Sequence, residues 1–272
     1  MEIKKSGWGR IGKIIDKLSG TKTLYEGTSE YATLQVQKKR GTISLISGNK
    51  HLQSSYRPGK RPLGTVWDYF LVAPLFAPNP DEVKKVCILG LGAGVVVKLL
   101  NRVYKIERIV GVEIDKVVVG LGREFFDLND NNLEVYIQDA AEYVKKTLRK
   151  FDLILIDTFK DDEIDLRCSC QEFYSKVIKL LKPGGIVLAN RANTQNQEKT
   201  NKEFRLEFPR LFTQCYALTV RNNIFYLGLQ STLEKQEIVE RIKGLAAREE
   251  FTNFLKGFDE NGLREEFAAE LN

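Results

Sequence analysis

From residue 84 onward, short apolar runs alternate with stretches of helical period, and the first run ends in Leu89-Gly90-Leu91-Gly92-Ala93-Gly94. That alternation constrains the fold more than any other feature. Lys85–Leu89, Arg108–Ile114, Leu133–Ile137, Asp152–Asp157 and Ile186–Asn190 read as strands. Helices are predicted over Val95–Val103, Lys116–Phe126, Ala140–Leu148, Gln171–Leu181 (ended by Lys182-Pro183-Gly184-Gly185) and Lys199–Phe212. Cys215–Val220 and Ile224–Leu229 flank Arg221-Asn222-Asn223 and read as a closing antiparallel hairpin. Near-continuous apolar strands separated by helices belong to a parallel sheet covered on both faces. The expected class is α/β, a doubly wound, mostly parallel seven-stranded sheet.

A different pattern precedes it. Glu30–Gln37 and Thr42–Ser47 are β-rich around a basic turn and predict a hairpin, with Leu24–Glu26 as a further short strand. Residues 55–64 read as a Pro/Gly linker, and 65–77 as an apolar buried helix. Residues 232–272 read as one or two charged helices. The expected organisation is a small N-terminal β-domain with its basic leader (1–64), a nucleoside-binding Rossmann-like domain (65–230) and C-terminal helices (231–272).

Composition narrows the chemistry. The chain has one histidine, His51, so metal sites and mechanisms that need two imidazoles are excluded. A general base is then Asp, Glu, Tyr or Lys. Of the four cysteines, Cys168 and Cys170 make a CxC pair without the second pair of a structural zinc site; no metal is expected. Residues 1–61 hold 13 Lys/Arg against 4 Asp/Glu, and the rest of the chain is acidic on balance. Trp8, Ile11, Ile15 and Leu18 lie at helical spacing among those basic residues. Such a stripe can pack on its own protein, on a second copy in a homodimer, or on a membrane surface. There is no strong nucleic-acid signal. No apolar run is long enough for a transmembrane segment, and the leader does not read as a secretory signal, so a cytoplasmic location is expected.

Four motifs fall at the carboxyl ends of successive predicted strands, the edge where open α/β sheets bind ligands. The glycines Gly90, Gly92 and Gly94 permit close backbone approach to a ligand, or simply a tight strand-to-helix turn. Glu113, in Val112-Glu113-Ile114-Asp115, lies about 20 residues further on, where an acidic residue can accept both hydroxyls of a ribose. Asp115 is better placed as a helix cap. Asp139, before Ala140, can accept an adenine amine or cap the next helix. Asp157 can orient or deprotonate an attacking amine, or be structural. A NAD-binding loop would read GxGxxG, whereas this one continues Gly94-Val95-Val96.

This order of motifs resembles a class I S-adenosylmethionine-dependent methyltransferase core. With the N-terminal β-region, Gln53-Ser54-Ser55-Tyr56 and the apolar 65–77 segment added, it resembles the spermidine synthase family over roughly residues 22–230. The resemblance implies cofactor-binding roles for Gln53, Gly90, Gly92, Ala93, Gly94, Glu113, Asp139 and Ala140, and a catalytic role for Asp157. It implies S-adenosylmethionine or decarboxylated S-adenosylmethionine as donor and a small-molecule acceptor, an amine. The sequence also departs from that family. The typical GGGDGG loop has Ala93 in place of its Asp. A YHE-like motif maps onto Val66-Trp67-Asp68, without the Tyr, and a DSSDP-like loop has Lys160 as its fourth residue. The reading is therefore a spermidine synthase-like transferase of a methyl or aminopropyl group, with a true polyamine aminopropyltransferase and a non-catalytic nucleoside-binding scaffold as alternatives.

Overall fold

The computed structural model describes residues 20–48, 51–59, 64–160, 163–248, 251 and 262–266. The basic stripe of residues 8–18 lies outside them.

Four antiparallel strands form the N-terminal sheet in sequential order: β1 (Thr21–Thr28), β2 (Thr33–Lys39), β3 (Thr42–Ser47) and β4 (His51–Tyr56). Leu34, Val36, Ile43 and Leu45 alternate with more exposed residues, so one face is buried. The hairpin is as expected, but the expected linker starts late: Ser55 and Tyr56 complete β4, which also takes in His51. A bulge interrupts β4. Leu52 pairs with Ile46 and Ser54 with Leu45, which leaves Gln53 without a partner.

The apolar segment Val66–Phe76 is a 3-10 helix rather than an α-helix. Pro74 lacks the N–H that an α-helical ladder would need. Thr65 and Asp68 close its start as a capping box, with the Thr65 N–H donating to Asp68 Oδ2 at 2.7 Å. Phe70, Leu71, Val72, Ala73 and Phe76 are all buried, in the hydrophobic core cluster that also holds residues of the main sheet.

The main sheet contains the seven expected strands and an eighth. They are β5 (Lys85–Leu89), β6 (Arg108–Glu113), β7 (Leu133–Ile137), β8 (Phe151–Ile156), β11 (Leu181–Ala192), β12 (Gln214–Val220), β13 (Asn223–Leu229) and β14 (Leu263–Glu266). A two-residue ladder, β9 (Phe159–Lys160) with β10 (Glu163–Ile164), lies apart. The order across the main sheet is β14-β12-β13-β11-β8-β5-β6-β7, parallel from β11 to β7 and antiparallel beyond. The Lys182–Gly185 turn falls inside β11, where pairing jumps from Leu181 to Ile186. Helices α1 (Val95–Val103), α2 (Lys116–Phe125), α3 (Ala140–Lys146), α4 (Gln171–Lys179) and α5 (Glu198–Glu207) cover it. The last ends before Pro209 and continues as a 3-10 turn.

The C-terminal reading was half right. α6 (Lys235–Ala247) is a helix, but Leu263–Glu266 is an edge strand on β12. Leu263 is buried on that edge, and four residues carry too little periodicity to announce a strand. Among the described residues no helix is long and apolar enough to cross a membrane.

Candidate active site

Parallel register brings the motif residues to one edge. Leu89 pairs with Val112 on one side and Ile156 on the other, and Ile156 with Ala189. Gly90, Glu113, Asp157 and Asn190 therefore leave the sheet in one row. Strand order reverses between β5 and β8, which opens a crevice between Gly90 and Asp157.

The glycine loop is tightly held. Gly90, Gly92 and Gly94 have φ of 89°, 56° and 83°, a region closed to most side chains. A Cβ on Gly90 would lie 2.3 Å from the Asp157 carbonyl oxygen, and one on Gly94 would lie 2.1 Å from Leu128 Cδ1. These two glycines are thus required by the fold itself. Only Gly92 is free of such a clash; its nearest neighbour would be Ser54 Oγ at 3.5 Å.

Glu113 folds back over the loop. Its Oε2 accepts the Gly92 N–H at 2.8 Å and its Oε1 the Asp115 N–H at 3.1 Å. Burial lifts its pKa above the usual carboxylate value, and the backbone N–H groups of Asp115, Gly92 and Ile114 oppose that rise. Three donors leave the carboxylate one lone-pair site for a further donor. Asp115 caps α2 through the Val117 N–H at 2.8 Å.

The N-terminal sheet covers the loop. The bulge at Gln53 leaves Ser54 and Ser55 both buried, and Ser54 Oγ accepts the Ala93 N–H at 3.4 Å. Ala93 is completely enclosed. Gln53 is half-buried on the same strand, and Tyr56 donates to Asp127 Oδ2 at 3.2 Å.

Asp139 caps α3, its Oδ1 accepting the Glu142 N–H at 3.0 Å. Its Oδ2 meets Arg167 Nη1 at 2.9 Å. Ala140 is the first residue of that helix. Tyr31, in the β1–β2 turn, feels the same corner. Burial first, then the carboxylates of Glu30, Asp115 and Asp139, raise its hydroxyl pKa, while Arg167 opposes them.

Asp157 has the most unusual surroundings. Asn190 Nδ2 donates to its Oδ1 at 2.7 Å, and the Trp67 indole N–H donates as well. Asn190 is itself oriented by Asn223, whose Nδ2 donates to Asn190 Oδ1 at 2.8 Å. Burial pushes the Asp157 pKa up to about 6, against the pull of these donors. A carboxylate so poised exchanges a proton near neutrality.

Asn190 and Asn223 join the candidate site without having been singled out from the sequence, and Trp67 was named there only as part of the YHE-like motif. The one signal was that an apolar strand, Ile186–Ala189, ends in Asn190-Arg191 at the ligand-binding edge. Arg191 points to the other face and is 1% exposed. It donates to Asn201 Oδ1 at 2.8 Å and Ser169 Oγ at 2.9 Å and lies 4.2 Å from the Phe204 ring centroid. Asp68 is fully buried and committed to its capping box. Cys168 is buried and Cys170 exposed. Asp161 and Asp162 lie outside the described residues.

Comparison with known proteins places this arrangement. The spermine/spermidine synthase domain family matches residues 72–239. The chain belongs to the spermine/spermidine synthase family. A probable polyamine aminopropyl transferase of Bifidobacterium longum is 33% identical over 172 residues, which is 62% of this chain and 37% of that protein. A polyamine aminopropyltransferase of Clostridium perfringens is 28% identical over 182 residues, 64% of this chain and 62% of the other. Both matches thus span less than two thirds of the relative. In fold, a probable spermidine synthase from Corynebacterium glutamicum is similar at TM-score 0.72 and 16% identity, over 89% of this chain and 90% of that one. A human methyltransferase-like protein 13 in complex with SAH is similar at 0.59 and 17%, over 71% and 94%. The second likeness shows that the fold is shared with that protein.

Proposed function

We propose that the protein transfers an alkyl group, aminopropyl or methyl, from a sulfonium nucleoside to an amine. The observation that carries this is Asp157: a poised carboxylate across the crevice from a glycine loop, in a chain of the spermine/spermidine synthase family. Glu113 would receive the ribose hydroxyls, the backbone at Gly92 would lie along the nucleoside, and Asp139 with Ala140 would face the base. Gln53 would close over it from β4. Asp157, held by Asn190 and Trp67, would align the amine and take its proton. A sulfonium is already a strong electrophile, so alignment and exclusion of water are the protein's main tasks; alignment alone can contribute about 7–11 kcal/mol.

Relatives named polyamine aminopropyltransferase favour decarboxylated S-adenosylmethionine as donor. Ala93 favours the intact form, because it offers no carboxylate to a donor ammonium. Lys160 also stands where the family's loop has its second Asp, and a desolvated ammonium without a carboxylate partner is costly. Putrescine is therefore expected to be a poor acceptor. Because Ala93 is enclosed beneath Ser54, restoring a carboxylate there would bury it, and the natural chain is the better reagent.

The test is calorimetry with both donors, methylthioadenosine and NADH. Binding of a sulfonium donor, weakened by Glu113→Ala by about 1.5–3 kcal/mol, is the expected result. Binding of NADH alone would overturn the assignment. Rapid spermidine formation from decarboxylated donor and putrescine would refute the acceptor argument.

A further inference from the structure

We propose that Arg167 is a latch on the nucleoside site: its guanidinium holds the Asp139 carboxylate until the exocyclic amine of an adenine nucleoside displaces it. This rests on the reading that Asp139 faces the base. Asp139 Oδ1 accepts the Glu142 N–H and Oδ2 is gripped by Arg167 at 2.9 Å, so a base amine arriving at Oδ2 competes with a charge-assisted bond.

Arg167 is built to let go. Its side chain is 63% exposed, so the contact with Asp139 is screened by water and salt. It also keeps a second carboxylate. Nη2 meets Asp165 Oδ2 at 2.6 Å and Nε meets Oδ1 at 3.1 Å, while the Arg167 backbone N–H binds Oδ1 at 3.0 Å. Releasing Asp139 therefore leaves the guanidinium paired in a two-point grip rather than stranded. The segment remains fastened two residues on, where Ser169 accepts from the buried Arg191. Movement can be confined to the Arg167 side chain.

Two variants should then act in opposite directions, which a merely structural role would not produce. In Arg167→Gln, Asp139 is free, and methylthioadenosine should bind about two- to fivefold more tightly at low salt. In Asp165→Asn, Arg167 loses its alternative partner and grips Asp139 harder, so binding should weaken. Added salt should tighten binding to the natural chain and leave Arg167→Gln nearly unchanged, because methylthioadenosine is uncharged. Arg167→Gln should also sharpen the preference for adenosine over inosine, whose carbonyl cannot donate to Asp139. Unchanged or weaker binding in Arg167→Gln would overturn the latch, and weaker binding would make Arg167 a direct contact to the base. Loss of binding in Glu113→Ala separates the two levels: if the natural chain binds nucleoside through Glu113 but ignores Arg167, the latch alone fails. If the natural chain binds no nucleoside, latch and proposed function fall together.

Discussion

Asp157→Asn should make the protein more stable and less active, and the stability gain should depend on pH in a defined direction. The folded environment raises the Asp157 pKa from 3.8 to about 6. Between those values the native state holds a proton that the unfolded chain has released, so stability falls as pH rises through that window. Above it the natural chain carries the full penalty. Each pH unit of separation corresponds to about 1.4 kcal/mol, so the penalty at neutral pH is about 2–3 kcal/mol. An Asn can still accept from Asn190 through its oxygen and has no charge to desolvate. Thermal unfolding of both forms at pH 4 and pH 8 is the assay. Asp157→Asn should unfold about 4–8 °C higher at pH 8, and the difference should shrink at pH 4. Turnover should drop about 10²–10⁴-fold. Equal melting temperatures at both pH values, or a loss of stability at pH 8, would refute the idea that the fold strains this carboxylate.

Other outcomes follow from the same geometry. Asn190→Leu removes the donor that pulls the Asp157 pKa down, so the acid limb of the turnover–pH profile should move up by about one to two pH units. A profile that stays put would take Asn190 out of the network. Gly90→Ala should lower the unfolding free energy, measured by denaturant titration, by about 1–3 kcal/mol, since its methyl would collide with the Asp157 carbonyl at positive φ. Gly92→Ala, with no such clash, should cost less; equal losses would contradict the close packing of β5 on β8.

The alternation of apolar runs and helices, with glycines after the first run, settles the sheet and the edge at which its motifs gather. The main-sheet strands from Lys85 to Leu229 were legible because each carries its own apolar run and each helix its stripe, whereas the two-residue β9 and β10 are too short to announce themselves. Glu113, Asp139 and Asp157 were singled out because they stand at the carboxyl ends of strands, the edge where open α/β sheets bind ligands. What they contact was not legible. The bulge that brings Ser54 onto Ala93, the indole of Trp67 on Asp157 and the chain from Asn223 through Asn190 join residues from 33 to 90 positions apart. No local periodicity records such contacts. Leu263–Glu266 was missed for the same reason, since an edge strand is defined by the neighbour it pairs with. Type and order of the elements are local properties, decided by side-chain period and turn chemistry. The protonation of Asp157 and the partner of Asp139 are set by burial and by groups brought in from elsewhere in the chain, so only the tertiary structure decides them.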